Sequence, residues 1–335
     1  MAVSPAMGAA PSNTYGQYIP GAGNQAVGVR EDLANIIYRI DPDETPLVSA
    51  CPRVGASQVT TEWLVQTLNA AGDNYAQEGF TAVMQPVVKP QRLNNVCQII
   101  VRTSAVSNTL RVVDIVGGED EYNRQIVLRG MEVKRDLEYA ITYPLLKTTT
   151  DPRHMSGLPA YCHNGVRGAG AGVMPGGDGT DVGTVGTAWD LTLDAVQRAM
   201  QQAWNAGGKP NLGIMSGGIK LYFATLSQGG TNNAIVAQNI VTVSPREELT
   251  IQGAVDVFRS DFGELQLTPD RFCKTSQILL VDTDYIELAP LPERDMVQQD
   301  YAQTGDNSQG GVVFEGTLRP TAPLSHAWIT DLNQV

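Results

Sequence analysis

The chain is poor in the residues that most enzyme and metal sites use. Its 335 residues include only three histidines, and charged side chains make up 17%. The four cysteines are far apart and form no CxxC pair, so neither a disulfide framework nor a structural zinc site is expected. These cysteines are Cys51, Cys97, Cys162 and Cys273. We expect buried, reduced thiols at all four positions.

Long apolar runs and a basic charge balance are also missing. No run approaches the roughly 20 apolar residues that span a bilayer, and residues 1–20 lack the basic start and apolar core of a signal peptide. We therefore expect no membrane partner and an intracellular product at synthesis. The formal net charge is −12, which argues against a protein that binds nucleic acid tightly through contacts with its phosphates. An acidic chain can still enclose nucleic acid through its geometry.

Familiar catalytic motifs are absent as well. Residues 165–180 are rich in glycine, but no apolar strand precedes them and no Gly-Lys-Ser/Thr follows, so a phosphate loop is rejected. His154 and His163 flank this segment without metal-ligand spacing, and Asp282 and Asp284 share one face of a predicted strand. An enzyme built around His154, His163 or Asp282 is the least favoured hypothesis. We assign no catalytic, cofactor-binding or metal-binding residue.

Residues 118–147 carry the most informative pattern in the chain. Apolar positions recur every three or four residues, which predicts a long amphipathic helix from Gly118 to Tyr143, about 39 Å long at ~1.5 Å per residue. The predicted face is Tyr122, Ile126, Gly130, Val133, Leu137 and Ile141. Acidic residues at 119–121 suit the start of a helix, Pro144 should end it, and Lys134 should pair with Glu138.

Residues that alternate between the two faces of a strand predict a hairpin in the first third of the chain. Strands are expected at 59–65 and 95–103, and the polar segment 69–90 between them is longer than compact domains usually tolerate without a function. Together they can form one long protruding hairpin, and the alternative is an ordinary hairpin with a floppy tip. Before it, residues 1–29 predict an extended arm, either a disordered tail or a segment that orders against a neighbour. A short helix is expected at 31–40.

The rest of the chain predicts a compact α/β unit over residues 189–291 and a late strand. The late strand, 311–319, should pair beside the long helix, because the helix otherwise lacks a sheet to cover its apolar face. A second helix should be amphipathic, with an apolar face formed by Leu193, Val196, Met200 and Trp204. The remaining predicted elements are a helix at 193–206, strands at 212–215, 240–243, 255–259, 264–267 and 277–288, a helix capped by Ser216 and a terminal element at 327–332.

The order of these elements resembles the tailed-phage major capsid proteins with the Hong Kong ninety-seven phage fold. Five segments are similar to one subgroup of phage head proteins: EDLANIIYRIDPDETPLVSA (31–50), EWL (62–64), MEVKRDLEYA (131–140), RHMSGLPAYCHN (153–164) and LLVDTDYIELAPL (279–291). The resemblance implies an α+β fold with the following parts. They are an N-terminal arm (1–30), a short helix and connector (31–53), an extended hairpin loop (54–105), a peripheral domain (106–188) with the spine helix 118–147 and a Gly-rich connector, an axial α/β domain (189–291) and peripheral return strands (292–335).

The resemblance also implies a function. It describes a structural subunit that assembles into hexamers and pentamers of an icosahedral shell around double-stranded DNA, without cofactors or sequence-specific DNA binding. The expected location is the virion, after assembly in the host bacterial cytoplasm. Expected partners are a portal, a scaffold protein and a cement or decoration protein. Because no long charged helix precedes the arm, we expect either a separate scaffold protein or none. The alternative is an encapsulin-type nanocompartment shell, which shares the fold. The two differ in their contents, because a capsid holds DNA and has a portal, whereas a nanocompartment holds an enzyme cargo.

The hairpin is the expected contact between subunits. The residues predicted to make this contact are Trp63, Tyr75, Glu78, Phe80, Met84, Lys89 and Arg92. Some relatives cross-link a hairpin lysine to an asparagine of a neighbour. Lys89 lies near the hairpin, but nothing else in the sequence supports that chemistry, and we do not assign it.

Overall fold

The structure, a computed structural model, describes residues 41–82, 84, 86–113, 120–227 and 256–333. The predicted arm at 1–30, helix at 31–40 and strand at 240–243 lie outside these residues. The helices are α1 (Pro46–Ala50), α2 (Asn108–Val112), α3 (Glu121–Thr142), α4 (Leu193–Asn205) and α5 (Gly217–Ser227). The strands are β1 (Thr60–Val65), β2 (Gln91–Val96), β3 (Gln98–Ser107), β4 (Asn164–Val166), β5 (Leu212–Met215), β6 (Val257–Ser260), β7 (Gly263–Pro269), β8 (Ile278–Val281), β9 (Ile286–Pro290), β10 (Val297–Tyr301), β11 (Asn307–Pro320) and β12 (Ala327–Ile329).

The predicted long helix is confirmed as α3, with corrected ends. The Asp120 carboxylate accepts a hydrogen bond from the Tyr122 N–H at 3.0 Å and caps the first turn. At the other end Tyr143 is extended, as expected for a residue before proline. The helix thus ends at Thr142, one residue before the predicted end at Tyr143, and the prediction that Pro144 stops it is confirmed. The spine-helix range 118–147 implied by the resemblance is too long. The 22 residues of α3 span about 33 Å at ~1.5 Å per residue.

The apolar face of α3 packs on a four-stranded antiparallel sheet. The buried side chains of this face are Tyr122, Ile126, Val133, Leu137 and Ile141, while Gly130 is half-buried. Strand β11 is the centre of the sheet and pairs with β3, β9 and β10. The expectation that a late strand pairs beside the long helix is confirmed. The predicted Lys134–Glu138 pair is wrong, because Glu138 is fully buried and its carboxylate accepts hydrogen bonds from α1.

The hairpin is real, but its return strand differs from the prediction. Strand β1 pairs antiparallel with β2, with Thr60 opposite Val96 and Val65 opposite Gln91. The predicted strand at 95–103 is wrong as a hairpin strand, because the chain leaves the hairpin at Cys97 and β3 joins the sheet under α3. The alternating apolar residues after Cys97 belong to that sheet. The hairpin thus ends near residue 96 and does not extend to 105.

A six-stranded sheet forms the second half of the body, in the order β4-β12-β8-β5-β7-β6. Helices α4 and α5 pack on it, and both follow the predicted ranges closely. The apolar face of α4 is shifted, since Ala195, Ala199 and Ala203 are buried while Trp204 is half exposed. Its indole instead lies 5.7 Å from the Phe262 ring.

One predicted strand, 277–288, is wrong as a single element. A 3-10 turn at Thr283–Tyr285 separates β8 from β9. The turn forms because the buried Asp282 carboxylate accepts hydrogen bonds from the Asp284 N–H at 3.2 Å and the Lys209 N–H at 2.9 Å. Strand β9 then pairs with β11, and β12 pairs with β8, so strands cross the predicted boundary at 291 in both directions. The division into peripheral and axial domains stays a prediction.

Candidate assembly surface on the hairpin

The hairpin continues beyond its paired strands as two arms that stay side by side. The Gln66 side chain donates to the Val88 carbonyl at 2.9 Å, and the Asn69 side chain donates to the Pro86 carbonyl at 3.3 Å. These side-chain bonds replace the strand ladder, which stops at Val65 and Gln91. The described residues between 66 and 90 include no helix or strand and are almost all exposed.

Large apolar side chains are concentrated on this exposed segment. They are Leu68, Tyr75, Phe80, Met84 and Val87, with exposed fractions between 64% and 93%. Exposed apolar groups gathered on one projection mark an interaction surface or an aggregation hazard. We call these five residues the apolar tip set.

Five of the seven predicted contact residues lie on this one exposed segment, and their role in subunit contact stays a prediction. Tyr75, Glu78, Phe80, Met84 and Lys89 all lie exposed between the two strands. Leu68 and Val87 were not predicted. The sequence contained a signal for both, because large apolar residues isolated in a polar loop have no local core to pack into.

Trp63 and Arg92 lie apart from the tip, on opposite faces of the paired strands. Trp63 is opposite Leu93, on the half-buried face, and its ring centroid lies 5.9 Å from that of Tyr161 in the body. Arg92 is exposed and pairs with Glu62 at 3.3 Å. Within one subunit, therefore, Trp63 contacts its own body and Arg92 contacts its own hairpin.

Polar side chains hold the root of the hairpin against the body. The Asn95 side chain is fully buried. Its amide nitrogen donates to the Leu318 and Ser156 carbonyls at 2.8 and 3.2 Å, and its oxygen accepts from the Ser156 and Val96 N–H groups, each at 2.9 Å. We call the contacts of Asn94 and Asn95 with the body the root network.

The glycine-rich connector has a structural explanation in this fold. Arg167 is almost fully buried, and its Nε lies 3.1 Å from the carboxylate of Asp331. Its Nη1 donates to the Val173 and Val182 carbonyls at 2.7 and 2.9 Å, so the connector wraps around the guanidinium. The guanidinium also lies 4.8 Å from the centre of the Trp328 ring. The arginine is used inside the fold and is not presented to a phosphate.

The histidines singled out in the sequence are bound to the backbone. Nδ1 of His154 lies 2.7 Å from the Met155 carbonyl, and Nδ1 of His163 lies 2.8 Å from the Pro175 carbonyl. Burial lowers the pKa of His326 to about 4, and its Nδ1 accepts the Asp282 N–H at 3.1 Å, which places the proton on Nε2. Among the described residues, no group of three or more His, Cys, Asp or Glu is placed to hold a metal ion.

The four cysteines are buried and unpaired. Burial raises the pKa of both Cys51 and Cys273 to about 12, and it raises the pKa of Cys97 and Cys162 too. A thiol that stays protonated is a poor nucleophile. In the part of the chain that the structure describes, no helix combines the length and apolar character needed to cross a bilayer.

The long helix α3, the sheet under it and the projecting apolar hairpin define a subunit that associates with others. Comparison with known proteins agrees with this class. The model of the SU10 major capsid protein family matches residues 12–333, and the chain belongs to that family. It is thus a structural capsid protein of the phage type. The major capsid protein of Escherichia phage Phieco32 is 30% identical over 112 residues. That alignment covers 33% of this chain and spans only 32% of the relative's length.

Solved structures confirm the α+β fold of phage capsid proteins. The capsid asymmetric unit of Cyanophage A-1(L) has a TM-score of 0.63 at 12% identity, covering 91% of this chain and 98% of that one. The capsid of a native GTA particle has a TM-score of 0.60 at 13% identity, covering 92% and 99%. The SrpI encapsulin of Synechococcus elongatus PCC 7942 has a TM-score of 0.56 at 9% identity, covering 92% and 94%. These low identities show a shared fold only, so the family match carries the assignment to capsids.

Proposed function

We propose that this chain forms the shell of a virion by packing its hairpin against neighbouring subunits, in hexameric and pentameric capsomers of an icosahedral capsid. The observation that carries the proposal is the apolar tip set, which extends from a body with its own buried core. A single subunit leaves these side chains in water. A neighbour supplies the apolar surface that would cover them.

The energetics suit reversible assembly from many weak contacts. Fully burying a side chain such as Phe80 or Met84 stabilises a contact by about 1.5 to 3 kcal/mol. The five residues of the tip set therefore contribute several kcal/mol per hairpin, before the entropic cost of association. A closed shell repeats that contact at every subunit, and its total stability is the sum of many such terms. Weak individual contacts also let misplaced subunits leave during assembly.

The enclosed material is proposed to be double-stranded DNA. A net charge of −12 suits a container that does not adhere tightly to packaged nucleic acid. Assembly in the host bacterial cytoplasm, a portal, a separate scaffold and a cement protein complete the proposal and rest on the family resemblance. The encapsulin alternative has one supporting observation, the SrpI structure among the similar folds.

Deleting the distal hairpin tests the proposal. Residues 66–90 are replaced by Asn-Gly, so that Val65 and Gln91, the last pair of the ladder, flank a two-residue hairpin turn. Because the described residues of this segment are almost all exposed, we expect a soluble fold whose melting temperature lies within about 3 °C of the unmodified chain, with closed shells lost. Negative-stain microscopy and light scattering measure particle formation. Shells of normal size from the deletion variant would refute the role of the hairpin.

A milder variant separates apolar contact from hairpin length. The double substitution F80S and M84S removes two large apolar groups from the tip. The control V185S removes one that is 71% exposed on the glycine-rich connector. We expect the double variant to raise the protein concentration needed for shell formation at least tenfold and the control to leave it within twofold. Nucleic acid or protein recovered from purified particles then distinguishes a virus head from a nanocompartment.

A further inference from the structure

We infer that Asn95 is a positioning residue whose buried carboxamide sets the angle at which the hairpin leaves the body, and through that angle the curvature of the shell. The first half of the inference concerns the subunit alone. The second half rests on the proposed function. Nothing in the sequence pattern marks this residue, because an asparagine in a polar strand end normally faces water.

The carboxamide of Asn95 uses its full hydrogen-bonding capacity. Both amide protons are donated and the oxygen accepts twice, and three of the four bonds reach residues more than 60 positions away. Its partners belong to separate parts of the body, since Ser156 follows α3 and Leu318 lies in β11. A buried, fully satisfied amide of this kind specifies one geometry, because any rotation of the hairpin leaves several polar groups unpaired.

Asn94 adds a second set of contacts beside the first. The Lys147 ammonium group donates to the backbone and side-chain oxygens of Asn94 at 3.1 and 2.6 Å, and to the Asp178 carbonyl at 3.3 Å. The Tyr161 hydroxyl donates to the same Asn94 backbone carbonyl at 2.8 Å. The return strand is thus held by side chains from two separate places in the body.

The incoming strand is held differently. The N–H groups of Val54 and Ala56 donate to the backbone carbonyls of Leu288 and Pro290 at 2.9 and 2.8 Å. Backbone hydrogen bonds of this kind can form with almost any side chain at these positions. Small residues, Ala56, Cys97 and Ala289, fill the space between. Trp63 on β1 does pack on Tyr161 of the body, but the side chains that fix the angle of the hairpin through hydrogen bonds lie on its return strand.

The length of the hairpin amplifies any change at its root. The unpaired segment runs from residue 66 to residue 90, so about 12 residues separate the paired strands from the middle of the loop, and they reach at most about 43 Å when extended. A rotation of about 5° at the root then moves the tip by about 4 Å, because displacement scales with that length. Apolar contacts are made within about 4.5 Å. A small loss of angular control at Asn95 is therefore enough to move the tip set off its contact.

The first experiment measures the angle in the unassembled subunit. Spin labels are attached at D73C, near the tip, and at R198C, an exposed position on α4, while the four native cysteines stay buried. The distance distribution between labels is recorded for the parent, for N95D and for N95A. N95D replaces the two donated protons with an acceptor, and N95A serves if the charged variant does not fold. The control is Q277E, the same amide-to-carboxylate change at another fully buried site. Gln277 donates to the Thr142 carbonyl at 2.7 Å and accepts from the Trp328 indole at 3.1 Å, in the body.

We expect the Asn95 variants to broaden or shift the distance distribution by at least 3 Å and Q277E to leave it unchanged. An unchanged distribution in both Asn95 variants overturns the inference. An equal change in Q277E also overturns it, because general destabilisation then explains the result.

The second experiment measures particles below the melting temperature of every variant. We expect Asn95 variants to give a broader spread of diameters, or tubes, and Q277E to give the parent diameter. Parent-like diameters from a variant with an altered hairpin angle overturn the link to curvature. If the parent chain forms no shells under any condition while the label distances still respond to Asn95, the proposed function fails and the positioning role stands.

Discussion

Replacing Glu138 with glutamine tests how α1 is held on the long helix. The Glu138 side chain is fully buried, and its two oxygens accept hydrogen bonds from the N–H groups of Leu47 and Val48, each at 2.7 Å. These are among the first N–H groups of α1, which have no partner inside that helix. Burial raises the pKa of Glu138 to about 7, the two N–H groups oppose that rise, and the nearby charge of Asp270 adds to it.

The sign of the pH effect follows from that pKa. The folded protein binds the proton of Glu138 up to about pH 7, whereas the unfolded chain releases it near its ordinary pKa of 4.5. The contribution of Glu138 to stability is therefore largest at low pH and is lost as the pH rises from 4.5 to 7. Integrated between pH 5 and pH 8, the difference is about 2 to 3 kcal/mol, at ~1.36 kcal/mol per pKa unit. Glutamine does not titrate, so E138Q lacks this dependence.

The assay is denaturant unfolding of the unassembled chain at pH 5 and pH 8. We expect the free-energy difference between the parent and E138Q to favour the parent more at pH 5, by about 2 to 3 kcal/mol. His326 titrates in the opposite direction, because its folded pKa is lowered to about 4. Its contribution is present in both proteins and cancels in the difference. Equal differences at the two pH values, or a parent favoured more at pH 8, would refute this account of Glu138.

Two further predictions concern the glycine-rich connector. R167M removes the buried cation inside the connector and leaves the buried Asp331 carboxylate with the Gly186 N–H but without its ion pair, so we expect a loss of about 3 to 5 kcal/mol in denaturant unfolding. The exposed control R198M should cost less than about 1 kcal/mol, and equal losses would contradict the burial argument. G179A places a methyl group 2.4 Å from the Tyr161 ring at a positive φ of 75°, and we expect it to lower the melting temperature by at least 5 °C. G55A has no atom within 4 Å of the new methyl group, and a similar loss there would contradict the steric explanation.

Apolar periodicity predicted the elements whose burial depends on apolar side chains. Helix α3 and strand β11 were expected within a few residues because each has one continuous apolar pattern over many positions. The return strand β2 was missed because its sequence, QRLNNV, buries an asparagine where the pattern leads one to expect an apolar residue. Burial of a polar residue depends on partners far away in the chain, and local spacing does not reveal them.

Glu138 shows the same limit. Its position four residues after Lys134 predicted a surface pair, whereas its partners in the structure are about 90 residues away. Strand 277–288 was predicted as one element because its apolar content is continuous, and the capping role of Asp282 was not visible in the pattern. At the candidate site, the apolar tip residues could be predicted from their position in a long polar loop. The root network could not, because Asn94, Asn95 and Lys147 resemble ordinary surface residues in the sequence.

A cryo-electron microscopy structure of the particle formed by this chain tests directly whether the hairpin makes the contacts that close the shell. We predict that Tyr75, Phe80 and Met84, exposed in the single subunit, are buried against neighbouring subunits in the particle. A shell in which these three side chains stay exposed to solvent, with contacts made elsewhere on the body, would contradict the account.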